Sequence, residues 1–253
     1  MDKIKAEGVG VLFSKRETQI EALSRIDLQV NEGEFVSLVG PSGCGKSTFL
    51  RIVAGLLRPT SGKLLIDGDE ASPGRDRALV FQQDNLLPWR TVLDNVAFGL
   101  QVAGYPKIER NEIANRFIET VGLVGFETSY PYELSGGMRQ RANLARALAI
   151  DPNILLMDEP FASLDAQTRE IMQAELLGIW QESRKTVVFV THQIDEAVFL
   201  SDTVVVLGAR PGTVREVIRI TIPRPRSLEL KRKPNFMEYV DRIWKILEPE
   251  FSK

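Results

Sequence analysis

Gly40-Pro41-Ser42-Gly43-Cys44-Gly45-Lys46-Ser47 is the stretch on which the reading of this chain turns. It fits the spacing G-x-x-x-x-G-K-[ST] without a gap, which is the pattern of a phosphate cradle. Its glycines let successive backbone N–H groups turn inward toward an anion. Lys46 adds positive charge near the terminal phosphates, and the Ser47 hydroxyl suits a Mg2+ ion. The flanks agree with this reading. Phe35–Val39 is a short apolar run of strand type that feeds the loop. From Ser47 and Thr48 to Leu57, the spacing of Phe49, Ile52, Val53, Leu56 and Leu57 predicts a helix, whose N-terminus attracts phosphate.

The 253 residues are 43% hydrophobic and 26% charged, an ordinary soluble composition, long enough for one large α/β domain or two small ones. A net charge of -2 does not favour general nucleic-acid binding, so no nucleic acid is expected as partner. The first residues, Met1 to Glu7, have no apolar core after their charges, so no signal peptide is expected. No apolar run approaches the roughly 18 residues that span a bilayer. The single cysteine excludes an internal disulfide and fits a reducing compartment.

Strand-like runs at Phe35–Val39, 78–81, 154–157, 187–191 and 204–207 alternate with helical patterns, which predicts an α/β fold with a mostly parallel sheet. Residues up to about 33 alternate more and predict antiparallel strands; 63–68 reads as a strand running into a turn. From about 86 to 150 the chain instead reads as helices at 91–100, 108–121 and 136–149, a helical insertion in the core. Pro223-Arg224-Pro225-Arg226 breaks regular structure, and 235–247 predicts a terminal amphipathic helix carrying Phe236, Tyr239, Val240, Ile243, Trp244 and Leu247. The cations Arg219, Arg224, Arg226, Lys231, Arg232 and Lys233 read as a solvated face, with an acidic membrane surface as the alternative.

Ile154 to Glu159 is an apolar strand ending in two carboxylates, and strand ends in α/β folds open onto the ligand crevice. Asp158 is placed to help hold Mg2+ beside Ser47, and Glu159 to orient or deprotonate an attacking water. Ser135-Gly136-Gly137 opens a second helix, either as a serine cap or as a second anion site. His192, the single histidine, ends the apolar run Val187–Thr191 and should face the same crevice as Asp158. Cys44, beside Lys46 and a helix N-terminus, is expected to have a lowered thiol pKa.

The succession of the phosphate loop, Phe81-Gln82, Leu134-Ser135-Gly136-Gly137, Leu156-Met157-Asp158-Glu159-Pro160, Ser163-Leu164-Asp165 and Thr191-His192 resembles the ATP-binding subunit of ABC transporters. The resemblance runs to about residue 220. It implies a P-loop NTPase with a RecA-like core, antiparallel N-terminal strands and a helical subdomain: an ATPase domain over residues 1–222 (insertion about 86–150) and a tail over 223–253. ATP and Mg2+ are the implied ligands. Gln82 matches the glutamine that senses Mg2+ and the permease. Ser135 and Gly137 match residues that touch the γ-phosphate bound by a second copy. Asp165 matches the aspartate coupling the two sites of a homodimer, and His192 the histidine that contacts the γ-phosphate. Phe13 is either the aromatic that stacks on adenine or a core aromatic of the first strand.

The signature departs from the usual pattern at Met138. With Leu86-Leu87-Pro88-Trp89 and Arg139-Gln140-Arg141, it resembles the importer subgroup for nitrate, sulfonate, taurine and related solutes. Pro88 and Trp89 then stand where such subunits meet a permease; the other reading is a plain turn with a buried tryptophan. The resemblance implies an integral membrane permease and an external solute-binding protein as partners, at the cytoplasmic face of the membrane. A soluble ABC ATPase and an exporter subunit are the alternatives.

Overall fold

The alternation of strand and helix patterns is realised in the order that the sequence predicts. The structure is a computed structural model that describes residues 2–15 and 18–251; Met1, Arg16, Glu17, Ser252 and Lys253 lie outside the described residues. The chain begins with β1 (Asp2–Lys15), β2 (Thr18–Asn31), β3 (Phe35–Val39), α1 (Lys46–Val53), β4 (Ser61–Ile66), β5 (Asp69–Glu70) and β6 (Arg77–Val80). Helices α2 (Val92–Val96), α3 (Phe98–Val102), α4 (Lys107–Thr120) and α5 (Gly136–Ala149) follow. The remainder is β7 (Ile154–Asp158), α6 (Ala166–Ser183), β8 (Thr186–Thr191), α7 (Ile194–Leu200), β9 (Thr203–Gly208), β10 (Thr213–Arg219) and α8 (Pro234–Phe251). Two units form, one from the segments up to Gly74 and from Arg184 onward, the other from Arg75–Ser183.

In the first unit β3 lies between β8 and β9 and runs parallel to both, with β10 antiparallel on β9. Every residue of β3, β8 and β9 is buried, which explains their near-continuous Val, Leu and Phe content: a strand covered on both faces has no polar side. β1, β2, β4 and β5 pair antiparallel in a separate sheet, as the alternating N-terminal pattern predicts. Helix α1 buries Phe49, Leu50, Ile52 and Val53. It ends at Val53, earlier than the apolar spacing to Leu57 predicts. Gly55 sits at φ 74, its N–H bonds Ile52 O, and the Leu56 N–H turns back to Arg51 O. That pair of bonds is a glycine-dependent helix stop.

In the second unit β6 and β7 are parallel, with Val80 opposite Met157. The segment predicted as one helix at 91–100 divides at Ala97 into α2 and α3. Helices α2, α4 and α5 pack on one another. The architecture is thus α/β with mostly parallel core strands, antiparallel N-terminal strands and a helical segment.

The tail corrects one expectation. Arg219, Arg232 and Lys233 are exposed, but Arg226 is only 7% exposed and Arg224 and Lys231 are half-buried. They do not form a solvated face; they hydrogen-bond to the protein around α7. Helix α8 buries Phe236, Ile243 and Leu247, while Trp244 is half-exposed.

Candidate functional site

In the first unit, β3 and β8 place two chemistries at the same end. Val39 pairs in register with Thr191, so the loop from Gly40 and the imidazole of His192 both leave the C-terminal ends of adjacent parallel strands. That is where α/β sheets present ligands. Pro41 is buried while Ser42 and Gly43 are exposed. Gly43 and Gly45 lie at φ 78 and φ 89. At Gly45 a side chain is excluded twice over: its φ is left-handed, and a Cβ would sit 2.4 Å from Leu23 Cδ2 and 2.7 Å from Ala22 O. Gly45 also caps α1 without a side-chain hydrogen bond to the helix, and the first turn of a helix has N–H groups without intrahelical acceptors, which suits an anion.

Lys46 is buried. Its Nζ donates to Gly40 O (2.7 Å) and Pro41 O (3.1 Å), which closes the loop on its own carbonyls. Cys44 is fully buried, 3.8 Å by its Sγ from the same ammonium. Burial pushes its thiol above the ordinary value, although Lys46 pulls the other way. The expectation of a lowered pKa is therefore corrected: desolvation of the thiolate outweighs the nearby charge. Phe13 stands 41% exposed on β1, directly opposite Ile20 of β2, which is also exposed. It is not a core aromatic. The two side chains together present an apolar plate, to which periodicity alone gives no clue.

In the second unit, Gln82 follows β6 and Glu159 follows β7, so the register of those strands brings both to one end. Asp158 and Glu159 are half-buried. Glu159 adopts φ 47, a left-handed backbone uncommon for a residue with a Cβ. Such strain concentrates at functional positions. Ser135 caps α5, its Oγ accepting the Met138 N–H at 3.2 Å, so the serine-cap reading is correct as structure; Ser135 and Gly136 are nevertheless exposed at the head of a 14-residue helix. Asp165 does the same for α6, its Oδ1 accepting from Gln167 N (3.1 Å) and Thr168 N (3.0 Å). The Thr168 hydroxyl and then its N–H hold the Asp165 carboxyl below its usual range. A Cβ on Gly137 would lie 3.1 Å from Thr168 Cγ2, so the heads of α5 and α6 adjoin.

A cleft of about 670 Å3 lies between the segment after β6 and the head of α5, lined by Gln82, Asp84, Gly136, Arg139, Gln140 and Ser163 among others, and not by Glu159, Ser135 or Asp165. Arg139 Nε donates to Asp84 Oδ2 at 3.0 Å. Arg146 donates to Asn85 O (2.8 Å) and Asp84 O (2.9 Å), and burial lowers its pKa against the pull of Asp84. The segment after Gln82 is thereby fastened to α5. Asn95, fully buried, fastens the next segment: its Oδ1 accepts from Leu87 N, and its Nδ2 donates to the carbonyls of Leu87, Arg90 and Thr91. Trp89, held on that turn, is 71% exposed, which rules out the buried-tryptophan reading. Sequence reasoning assigns neither Asn95 nor Arg146 a role; an asparagine on the apolar side of a helix is the available signal.

A phosphate loop next to an aligned histidine, with a serine-glycine-glycine helix head elsewhere in the chain, narrows the choice of family, and the family model described as "ABC transporter" matches residues 23–162. The chain belongs to the ABC transporter family. It is 57% identical to an uncharacterized ABC transporter ATP-binding protein of Methanocaldococcus jannaschii over 99% of this chain and 93% of that one. It is 45% identical to a nitrate import ATP-binding protein of a Synechocystis species, over 93% of this chain and 91% of that one. Among solved structures, a dimeric ATP-binding cassette in a post-hydrolysis state with ADP and Pi superposes at a TM-score of 0.78, with 35% identity, covering 87% of this chain and 100% of that one. The chain is an ABC-type ATPase subunit with the P-loop NTPase fold of these cassettes.

Ser47, Gln82 and Asp158 carry oxygen donors, the type that Mg2+ takes. Among the described residues no group of three or more His, Cys, Asp or Glu side chains is arranged to hold a metal. Mg2+ needs no such cage, since it takes most of its ligands from phosphates and water.

Proposed function

We propose that this protein binds and hydrolyses ATP to energise import of a small solute (nitrate, a sulfonate, taurine or a similar one) through a separate integral permease fed by an external binding protein. The observation that carries the reading is the register of β3 and β8, which sets the Lys46 loop and His192 at one strand end. In this reading residues 1–222 are the ATPase domain, with an insertion at about 86–150, and 223–253 are a tail.

The loop from Gly40 to Thr48 takes the phosphates through its N–H groups and Lys46, and Phe13 takes the adenine face. Ser47, Asp158 and Gln82 would hold Mg2+, which neutralises charge on the phosphates when bound. Glu159 orients or deprotonates the attacking water, while His192 and Lys46 stabilise charge that develops on the γ-phosphate. Two copies act head to tail. Ser135, Gly136 and Gly137 of one copy offer donors to the γ-phosphate held by the other, and Asp165 links the two sites. ATP favours the closed pair because only that state supplies both sets of donors.

The permease contact falls on the turn held by Asn95. Trp89 and, in the same unit, Val102, Ile108 and Tyr132 are exposed apolar side chains. Among the described residues no helix is long and apolar enough to cross a membrane. In this reading the subunit sits peripherally at the cytoplasmic face, attached through that partner. Glu159→Gln tests the mechanism. The variant should bind ATP, turn over at least about 100-fold more slowly and elute as a dimer when ATP is present. Turnover at the normal rate would remove Glu159 from its role.

A further inference from the structure

Helix α7 follows His192 directly and is short, and the tail holds it at both ends. At its C-terminus the Ala197 carbonyl is taken by Ser201 N, while Asp202 N turns away to Phe35 O. The carbonyls beyond Ala197 therefore need other donors. Arg226 supplies them: Nη1 donates to Val198 O (3.0 Å), Phe199 O (3.0 Å) and Ser201 O (2.8 Å). Its Nε and Nη2 fix it to Ile222 O. Arg224 takes Leu200 O at 2.6 Å and pairs with Asp202 at 3.0 Å. Two cations thus sit at the negative end of the helix dipole. At the other end Lys231 donates to Asp195 at 3.2 Å and lies 5.3 Å over the Phe199 ring.

What α7 does next is set by one more contact. Thr191 Oγ1 donates to the buried carboxylate of Glu196 on α7 and accepts the Gln193 N–H at 3.0 Å. His192 is the residue between them. The orientation of its backbone is therefore tied to α7, and α7 is clamped by the tail.

We propose that Arg226, helped by Arg224 and Lys231, is a positioning residue for His192: the tail sets the placement of the imidazole during ATP hydrolysis. This rests on the reading of His192 as a group acting on the γ-phosphate. No other histidine is present, so a ring-labelled histidine gives a single signal that reports on this position.

The test uses the full chain with Arg226→Gln and Arg226→Lys, measuring steady-state ATP hydrolysis and the His192 ring signal by NMR. Arg226→Gln should lower kcat about tenfold with KM for ATP within about twofold of wild type, because the phosphate loop is untouched. The ring signal should shift or split. Arg226→Lys, which keeps the charge and some of the donors, should restore part of both. Unchanged kcat, slow turnover with the ring signal superimposed on wild type, or a lysine variant as slow as the glutamine one would each overturn the proposal. If Arg226→Gln does not fold, Arg224→Gln takes its place, with the same measurements supporting or overturning the proposal. His192→Ala separates the layers. If that variant turns over normally, the role of His192 fails and this proposal with it; if it is slow while the ring signal ignores the tail substitutions, only this proposal fails.

Discussion

Replacing Asn95 by alanine asks whether one buried amide holds the turn that bears Trp89. Its Oδ1 accepts from Leu87 N at 2.7 Å, and its Nδ2 reaches the carbonyls of Leu87, Arg90 and Thr91 at 3.2, 3.0 and 2.9 Å. An amide has two N–H groups, so three carbonyls share two donors, and the side chain makes the equivalent of about three hydrogen bonds. At a net ~1 kcal/mol for each, the variant should lose about 3 kcal/mol. With a urea m value of about 1.5–2 kcal/mol/M, the midpoint should fall by roughly 1.5–2 M. Asn95→Asp keeps the acceptor but sets a carboxylate oxygen against those carbonyls, and at pH 8 it should do no better than alanine. ATP affinity should hold in both, since the phosphate loop belongs to the other unit. A midpoint drop under about 0.3 M for alanine, or a wild-type midpoint for the aspartate variant, would show that the turn does not depend on this amide.

Lys46→Ala should weaken ATP binding about 100-fold, measured by titration with a fluorescent nucleotide, because it removes a charge that also closes the loop. Wild-type affinity would contradict the loop assignment. Phe13→Ala should weaken ATP roughly tenfold and Phe13→Trp should not, as a stacking surface on adenine requires; equal losses in both would favour a packing role. The Cys44 thiol should react with iodoacetamide at pH 7.5 at least about tenfold more slowly than in urea, since its burial raises the pKa and blocks approach. Equal rates would mean that the loop opens readily.

The strand, loop and helix around Gly40 to Ser47 were legible because the apolar runs on each side state their own elements and the glycines between them mark the turn. The places of His192 and Glu159 were legible for a related reason, as polar residues directly after buried strands. The stop of α1 was written at Gly55, yet Leu56 and Leu57 extended the apolar pattern past it. Periodicity counts side chains and does not see a backbone that has turned left-handed. The positive φ of Glu159 has no signature in sequence at all. Cys44 misled because proximity along the chain shows the nearby charge but not the loss of water. The tail cations misled in the same direction: a row of arginines looks solvated until the carbonyls opposite them are placed.

Three segments that carry the proposed chemistry are in fact held by one device. Arg146 binds the carbonyls after Gln82, Asn95 those around Trp89, and Arg226 those at the end of the helix following His192. In each case a half-buried or buried donor reaches main-chain carbonyls, and around Trp89 it adds to the bonds that Arg90 N and Asn95 N already make to Leu87 O and Thr91 O. The acceptors are carbonyls, which every residue has, so only the donor leaves a mark in the sequence and that mark looks ordinary. At Arg146 and Arg226 the planar, many-donor group supplies geometry as well as charge, so lysine should replace it only in part. The device also separates affinity from turnover. The hydrogen bonds of the three donors named above go to other segments than the Lys46 loop, so faults in them should leave nucleotide binding nearly intact and instead misplace the groups that act after it binds.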